Sequence, residues 1–296
     1  MPDSADGDIV GIVSDSACDL GEGIVWDRDR SRVYWVDITG RAVFSKDWDT
    51  GVIKSLAFPE MVGSVGLRAS GGLVAALEHS LVFCDLDAGT IDPPIEVDDE
   101  PRTNRFNDGA VDPGGRFWFG SSDREERVPS GAFYRLGEDG SVTRAFGDII
   151  CHNGPAWSPD GRTLYHVDSA KDRITAYEFD VEAGVVGGGR LFASDEHEAG
   201  SPDGVTVDAE GFVWSCKWDG GRVVRYDPDG KTERVLTVPV PRPTRCAFVG
   251  PDMDLIAISS ARYGLSDLQL AQAPLSGHVL LFDSPVRGLP TPTYRG

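Results

Sequence analysis

The chain has 296 residues, 40% of them hydrophobic, and its 48 acidic against 28 basic side chains leave a net charge of −20. That balance repels nucleic-acid phosphates and anionic membranes and favours cations, so functions on either partner are set aside. No apolar run approaches the roughly 18 residues of a membrane-crossing helix, and the acidic start Met-Pro-Asp-Ser-Ala-Asp lacks a basic-then-apolar leader, so a cytoplasmic protein is expected.

In chain order, the first strand-like run is Ile9-Val-Gly-Ile-Val. After it, a turn followed by an aromatic or aliphatic strand recurs: Asp27-Arg-Asp-Arg-Ser-Arg-Val-Tyr-Trp, Ala69-Ser-Gly-Gly-Leu-Val, Asp112-Pro-Gly-Gly-Arg-Phe-Trp, Ser158-Pro-Asp-Gly-Arg-Thr-Leu-Tyr, Asp208-Ala-Glu-Gly-Phe-Val-Trp and Gly250-Pro-Asp-Met-Asp-Leu-Ile. The turns begin at 27, 69, 112, 158, 208 and 250, intervals of 42 to 50 residues, each long enough for one four-stranded sheet. A further strand follows most turns, at 42–44, 81–83, 132–134, 174–177, 223–226 and 278–282. One such sheet cannot bury both faces, so six must stack around an axis. The expectation is a single domain over 1–296, an all-β, six-bladed β-propeller of four-stranded antiparallel blades, with Ile9–Val13 as the outer strand of the last blade. No run has helical periodicity, and 85–104, 194–202 and 262–276 are expected as loops. Trp26, Trp118, Trp157 and Trp214 recur at blade-equivalent positions and fill the core between blades. The five cysteines are scattered, odd in number and never in a C-x-x-C pair, which argues against a disulfide framework or thiolate zinc site.

Five residues before each turn stand Glu22, Ser64, Asn107, Asn153, Asp203 and Arg245. The first strand of a propeller blade lines the central channel, so equal offsets put these side chains at one depth. Asn-Gly and Pro-Asp-Gly taken singly are ordinary turn sequences. Here the hairpin turns are supplied five residues later, and Glu22, Asn107, Asn153 and Asp203 all carry oxygen donors. Two carboxylates and two amides facing one another call for a cation, and an all-oxygen set suits Ca²⁺, Mg²⁺ or Mn²⁺.

The units Leu20-Gly-Glu-Gly-Ile-Val-Trp, Asn104-Arg-Phe-Asn-Asp-Gly-Ala-Val-Asp-Pro, Asn153-Gly-Pro-Ala-Trp-Ser-Pro-Asp-Gly and Pro202-Asp-Gly-Val-Thr-Val-Asp-Ala-Glu-Gly resemble those of the SMP-30/gluconolactonase/regucalcin family over nearly the whole chain. Ala261-Arg-Tyr-Gly-Leu-Ser-Asp-Leu-Gln-Leu-Ala-Gln is similar to a stretch of bacterial sugar-lactone hydrolases. The resemblance implies a metal-dependent lactonase, with metal ligands at Glu22, Asn153 and Asp203 and substrate contacts at Arg105, Asn107 and Glu125, or Glu126 in its place. Asp203 is the implied catalytic residue, orienting or activating water. The cofactor is one divalent ion, calcium first, with magnesium, manganese, zinc or iron as alternatives. The expected partner is a small-molecule aldonolactone of the gluconolactone, xylonolactone or arabinolactone type, acted on by a monomer or weak homo-oligomer.

Competing readings are a metal-dependent esterase or phosphotriesterase and a non-catalytic calcium-binding or interaction propeller. Arg245 is read as projecting into the channel and selecting an anionic substituent. His152, beside Asn153, belongs either to the channel or to the wall, since a strand alternates faces. The serines lack a nucleophile-elbow sequence, which argues against serine hydrolysis.

Overall fold

The computed structural model describes residues 3–6, 8–98, 100–196 and 199–296. Positions 99, 197 and 198, which belong to expected loops, lie outside them. The strands form six antiparallel sheets in sequence order, the first built from Gly21–Asp27, Arg32–Asp37, Ala42–Asp47 and Ile53–Ala57. The innermost strands are Gly21–Asp27, Val62–Leu67, Asn104–Val111, His152–Trp157, Ser201–Val207 and Pro243–Val249. Each contacts the inner strands on either side, and the sixth contacts the first, so the ring is closed. This is the expected six-bladed β-propeller.

Closure uses residues far apart in the chain. Ile9–Ile12 pairs antiparallel with Leu280–Asp283 and completes blade 6. One strand was not foreseen: Asp3–Asp6 runs parallel to Thr232–Thr237 and adds a fifth strand to blade 5. The outer edge of blade 2 is split into Thr90–Ile91 and Ile95–Glu96, both on Ser80–Asp85. These lie within the stretch expected as a loop.

Every inner strand carries one irregularity within three residues of its belt position, five residues before the turn. The register slips between Glu22 and Val25, Val62 and Ser64, Phe106 and Gly109, Asn153 and Ala156, Pro202 and Val205, and Pro243 and Cys246. An extra residue on one strand of an antiparallel pair reverses the alternation of its side chains beyond that point. In blades 1 and 4 the bulge is made by Gly23 and Gly154, whose φ angles of 58° and 74° favour glycine.

Two sequence expectations need correction. The segment 262–276 holds a short helix, Asp267–Gln272, begun by a reciprocal cap between Ser266 and Gln269. The four tryptophans are buried as expected, yet they occupy two positions. Trp26 and Trp157 end inner strands just before their turns, and their indole N–H groups have no acceptor. Trp118 and Trp214 lie on second strands and donate to the turn carboxylates of Asp112 and Asp208 at 2.8 and 2.9 Å. All five cysteines are free and buried. Among the described residues no helix is long and apolar enough to cross a membrane.

The chain after blade 6 crosses the end of the channel away from Glu22. It is pinned first at blades 5 and 6, where Ala209 N–H donates to Arg287 and Gly288 N–H to Met253. It is pinned again at blades 2 and 3, where Tyr294 N–H donates to Leu67 and Arg295 N–H to Gly115. Tyr294 is fully buried, its hydroxyl donating to Gly137 O at 2.8 Å.

Candidate functional site

The bulges place a polar belt at one end of the channel. Glu22, Arg105, Asn107, Glu125, Asn153 and Asp203, all six residues singled out from the sequence, line one cavity of about 580 Å³. Glu126, Trp218, Tyr263 and Ser169 complete much of its wall.

Hydrogen bonds fix the amides. Asn107 Nδ2 donates to Asn153 Oδ1 at 3.0 Å and to His152 O at 2.6 Å, while Asn107 Oδ1 accepts from Arg105. Asn153 Nδ2 donates to Ser169 Oγ at 2.9 Å, so its oxygen is turned away from that contact and keeps a lone pair. Arg105 thus holds the amide chain at one end and Ser169 at the other.

The carboxylates are strained electrostatically. Glu22 is buried, and burial and the neighbouring Asp108 push its carboxyl up to about 8, against the opposing pull of Arg245 and Arg105. Asp203 is pushed well above the carboxylate range, by burial first and then by Glu22, Asp108 and Glu126. Among the described residues neither carboxylate forms an ion pair; Glu22 accepts from the Gly23 N–H at 2.9 Å, and the nearby Gly204 N–H only partly offsets the rise at Asp203. Two buried like charges with no counter-ion are poorly matched as they stand, and a cation between them is the arrangement that relieves both. The described residues hold no group of three or more His, Cys, Asp or Glu arranged for a metal. The donors available are two carboxylates and the Asn153 amide oxygen, a hard all-oxygen set that fits a divalent cation such as Ca²⁺ or Mg²⁺.

Three expectations are sharpened or overturned. Arg245 is buried and ion-paired with Asp108, and it does not line this cavity, so its charge is not free to select an anionic substituent. His152 belongs to the wall, where its fully buried ring contacts His166 at 3.0 Å and Asp108 O at 3.0 Å. Glu125 and Glu126 are both exposed and both line the cavity, with different neighbours. Glu125 pairs with Arg127 at 3.3 Å, whereas Glu126 lies close enough to raise Asp203 and Cys151. The residue missed from the sequence is Asp108. It sits in Asn-Asp-Gly, which reads as a turn, and the available signal was the single basic residue, Arg245, at the same depth in blade 6.

A propeller with buried, unpaired oxygen donors at one mouth of its channel defines the class. A family model, the SMP-30/Gluconolactonase/LRE-like region, matches residues 20–262. The chain belongs to this family. It is 36% identical to regucalcin of Danio rerio, over 94% of this chain and 95% of that protein. It is 34% identical to the 6-deoxy-6-sulfogluconolactonase of Pseudomonas putida, over 94% and 95%. Among solved structures, a calcium-binding protein, regucalcin, from Agrobacterium tumefaciens superposes with a TM-score of 0.92 at 30% identity, over 97% of this chain and 98% of that one.

Proposed function

We propose that the mouth cavity hydrolyses a sugar lactone to the open-chain acid with one divalent cation held by Glu22, Asn153 and Asp203. The observation that carries this reading is the meeting, in one cavity, of two unpaired buried carboxylates with an arginine-anchored row of amides. The lactonase named among the relatives supports the same chemistry. A bound cation supplies a Lewis acid for the lactone carbonyl.

The chain's own residues do the rest. Asp203 orients the attacking water, its position set by the bulge between Pro202 and Val205 on which it sits. Arg105 and Asn107 are bound to each other, so they are held in a fixed geometry: the remaining guanidinium N–H groups donate to ring hydroxyls or the ring ester oxygen, and Asn107, whose amide hydrogens are both engaged, offers its oxygen to a hydroxyl. Glu126, whose charge acts on Asp203, receives a distal hydroxyl, while Glu125 is engaged by Arg127. Four carboxylates line the mouth against Arg105 and Arg124, and Arg124 is already paired with Glu78, so a neutral aldonolactone of the gluconolactone, xylonolactone or arabinolactone type fits best.

The test is a panel of aldonolactones assayed with calcium, magnesium, manganese and zinc, in wild type and Asp203→Asn. Metal-dependent turnover lost in the variant is expected. The second reading, calcium binding without catalysis, is favoured by the description of the Agrobacterium structure as a calcium-binding protein. Calorimetric binding of calcium together with no hydrolysis of any lactone would select it.

A further inference from the structure

Past the belt the channel opens into a second cavity, of about 290 Å³, bounded on the far side by Leu289 to Pro292. On strands that are otherwise buried here, the partly exposed positions lining it are Val25, Ala110, Thr206 and Ala247. All four are small, which leaves the axis open. The end nearest the belt is Arg245, 8% exposed, whose guanidinium is tied to Asp108 while its Nε has no acceptor. Arg245 is the charged side chain of this lining, and Asp108 already balances it, with Glu22 acting on the same pair from the mouth side.

A dry apolar cavity of about 150 Å³ is large enough to take benzene, so this chamber has room for a one-ring molecule and its substituent. An anion is disfavoured, because the arginine charge is matched and further carboxylates lie beyond it. We propose that this lower chamber is a second binding site, for a small neutral molecule with an apolar ring or short chain. Residues 289–292 border the chamber between the pins at Gly288 and Tyr294, and the exposed turn residues Pro113 and Pro159 line it as well. The proposal is independent of what the mouth cavity catalyses.

Cyclohexanone is the probe, titrated into the full chain and followed by ligand-observed and protein-observed NMR. Saturable binding is expected, with shift changes at Val25, Thr206 and Leu289. Benzene should bind within a few-fold of cyclohexanone, and acetate not at all. Ala247→Leu and Ala110→Leu, on different blades, each fill the chamber and should weaken cyclohexanone binding about tenfold or more, with circular dichroism checking that each is folded. Absence of saturation in the wild type, or shifts confined to mouth residues, overturns the site whether or not the variants fold. Unchanged affinity in the two filled variants does the same.

Discussion

The two halves of the channel are made by the same six strands and differ in almost everything else. On the mouth side the strands present Glu22, Asn107, Asn153 and Asp203, and on the far side Val25, Ala110, Thr206 and Ala247. The change falls at the bulges, where the extra residue resets which side chains face the axis. Between them lies the Arg245–Asp108 pair. A sheet scaffold can therefore carry polar chemistry at one end and a packed, nearly uncharged lining at the other, with a one-residue insertion per blade as the boundary.

The largest expected effect lies in the polar half. Asp203→Asn should lower kcat/KM for the best lactone by about a thousandfold or more, equivalent to ~4 kcal/mol of transition-state stabilisation. Thr206→Val, three residues further along the same strand, should change it less than about twofold. Comparable losses in the two variants would erase the distinction between the halves.

The boundary is tested next. Arg245→Met leaves the buried Asp108 carboxylate without its partner and should cost about 3–5 kcal/mol in urea unfolding. Adding Asp108→Asn should recover a good part of that loss, because the uncompensated charge is gone. A double variant as unstable as the single one would mean that the pair matters through shape, not charge.

A smaller effect concerns pH. The Glu22 carboxyl is held at about 8 in the folded chain against an ordinary value of 4.5. Its neutral form is favoured by folding, so this contribution is complete below pH 4.5 and is lost as pH rises through 8. The metal-free protein should lose up to ~1.4 kcal/mol per pH unit across that window, and saturating calcium should raise Tm more at pH 8 than at pH 5. A metal-free stability that climbs from pH 5 to pH 8 would show that the mouth carboxylates are not strained. Smallest of all, Glu126→Gln should raise KM several-fold, while Glu125→Gln should leave KM within about twofold, since Glu126 acts on Asp203 and Glu125 is paired with Arg127.

Much of this was legible in the sequence because every blade repeats one pattern. In blades 3 and 5 the bulge spans the belt residue at the same offset, so counting back from Asp112 or Asp208 lands at one depth. What pairing does across the axis was not legible. Asp108 and Arg245 are 137 positions apart, and nothing local in Asn-Asp-Gly distinguishes a turn acid from one neutralised across a channel. The choice between Glu125 and Glu126 rests on which neighbour each meets, Arg127 or Asp203, which composition does not encode. The helix at Asp267–Gln272 is a different kind of miss, for Ser266 and Gln269 stand at capping-box spacing in plain view. The tryptophans misled because a turn-centred alignment treats both sides of the turn alike, whereas only the second-strand pair can reach the turn carboxylate.

Closing the ring with Ile9–Ile12 against Leu280–Asp283 sets a kinetic order on folding. The contact joins residues about 270 positions apart, so its loop-closure entropy is among the last to be recovered, and folding should be slow for the chain's size. During synthesis the early strand waits, unpaired, until the final blade emerges. Its Val10 and Ile12 remain 46% and 41% exposed even in the finished protein. For that interval the segment is a free apolar edge able to recruit a strand from a second nascent chain, so aggregation on expression should track how long the last blade takes to arrive.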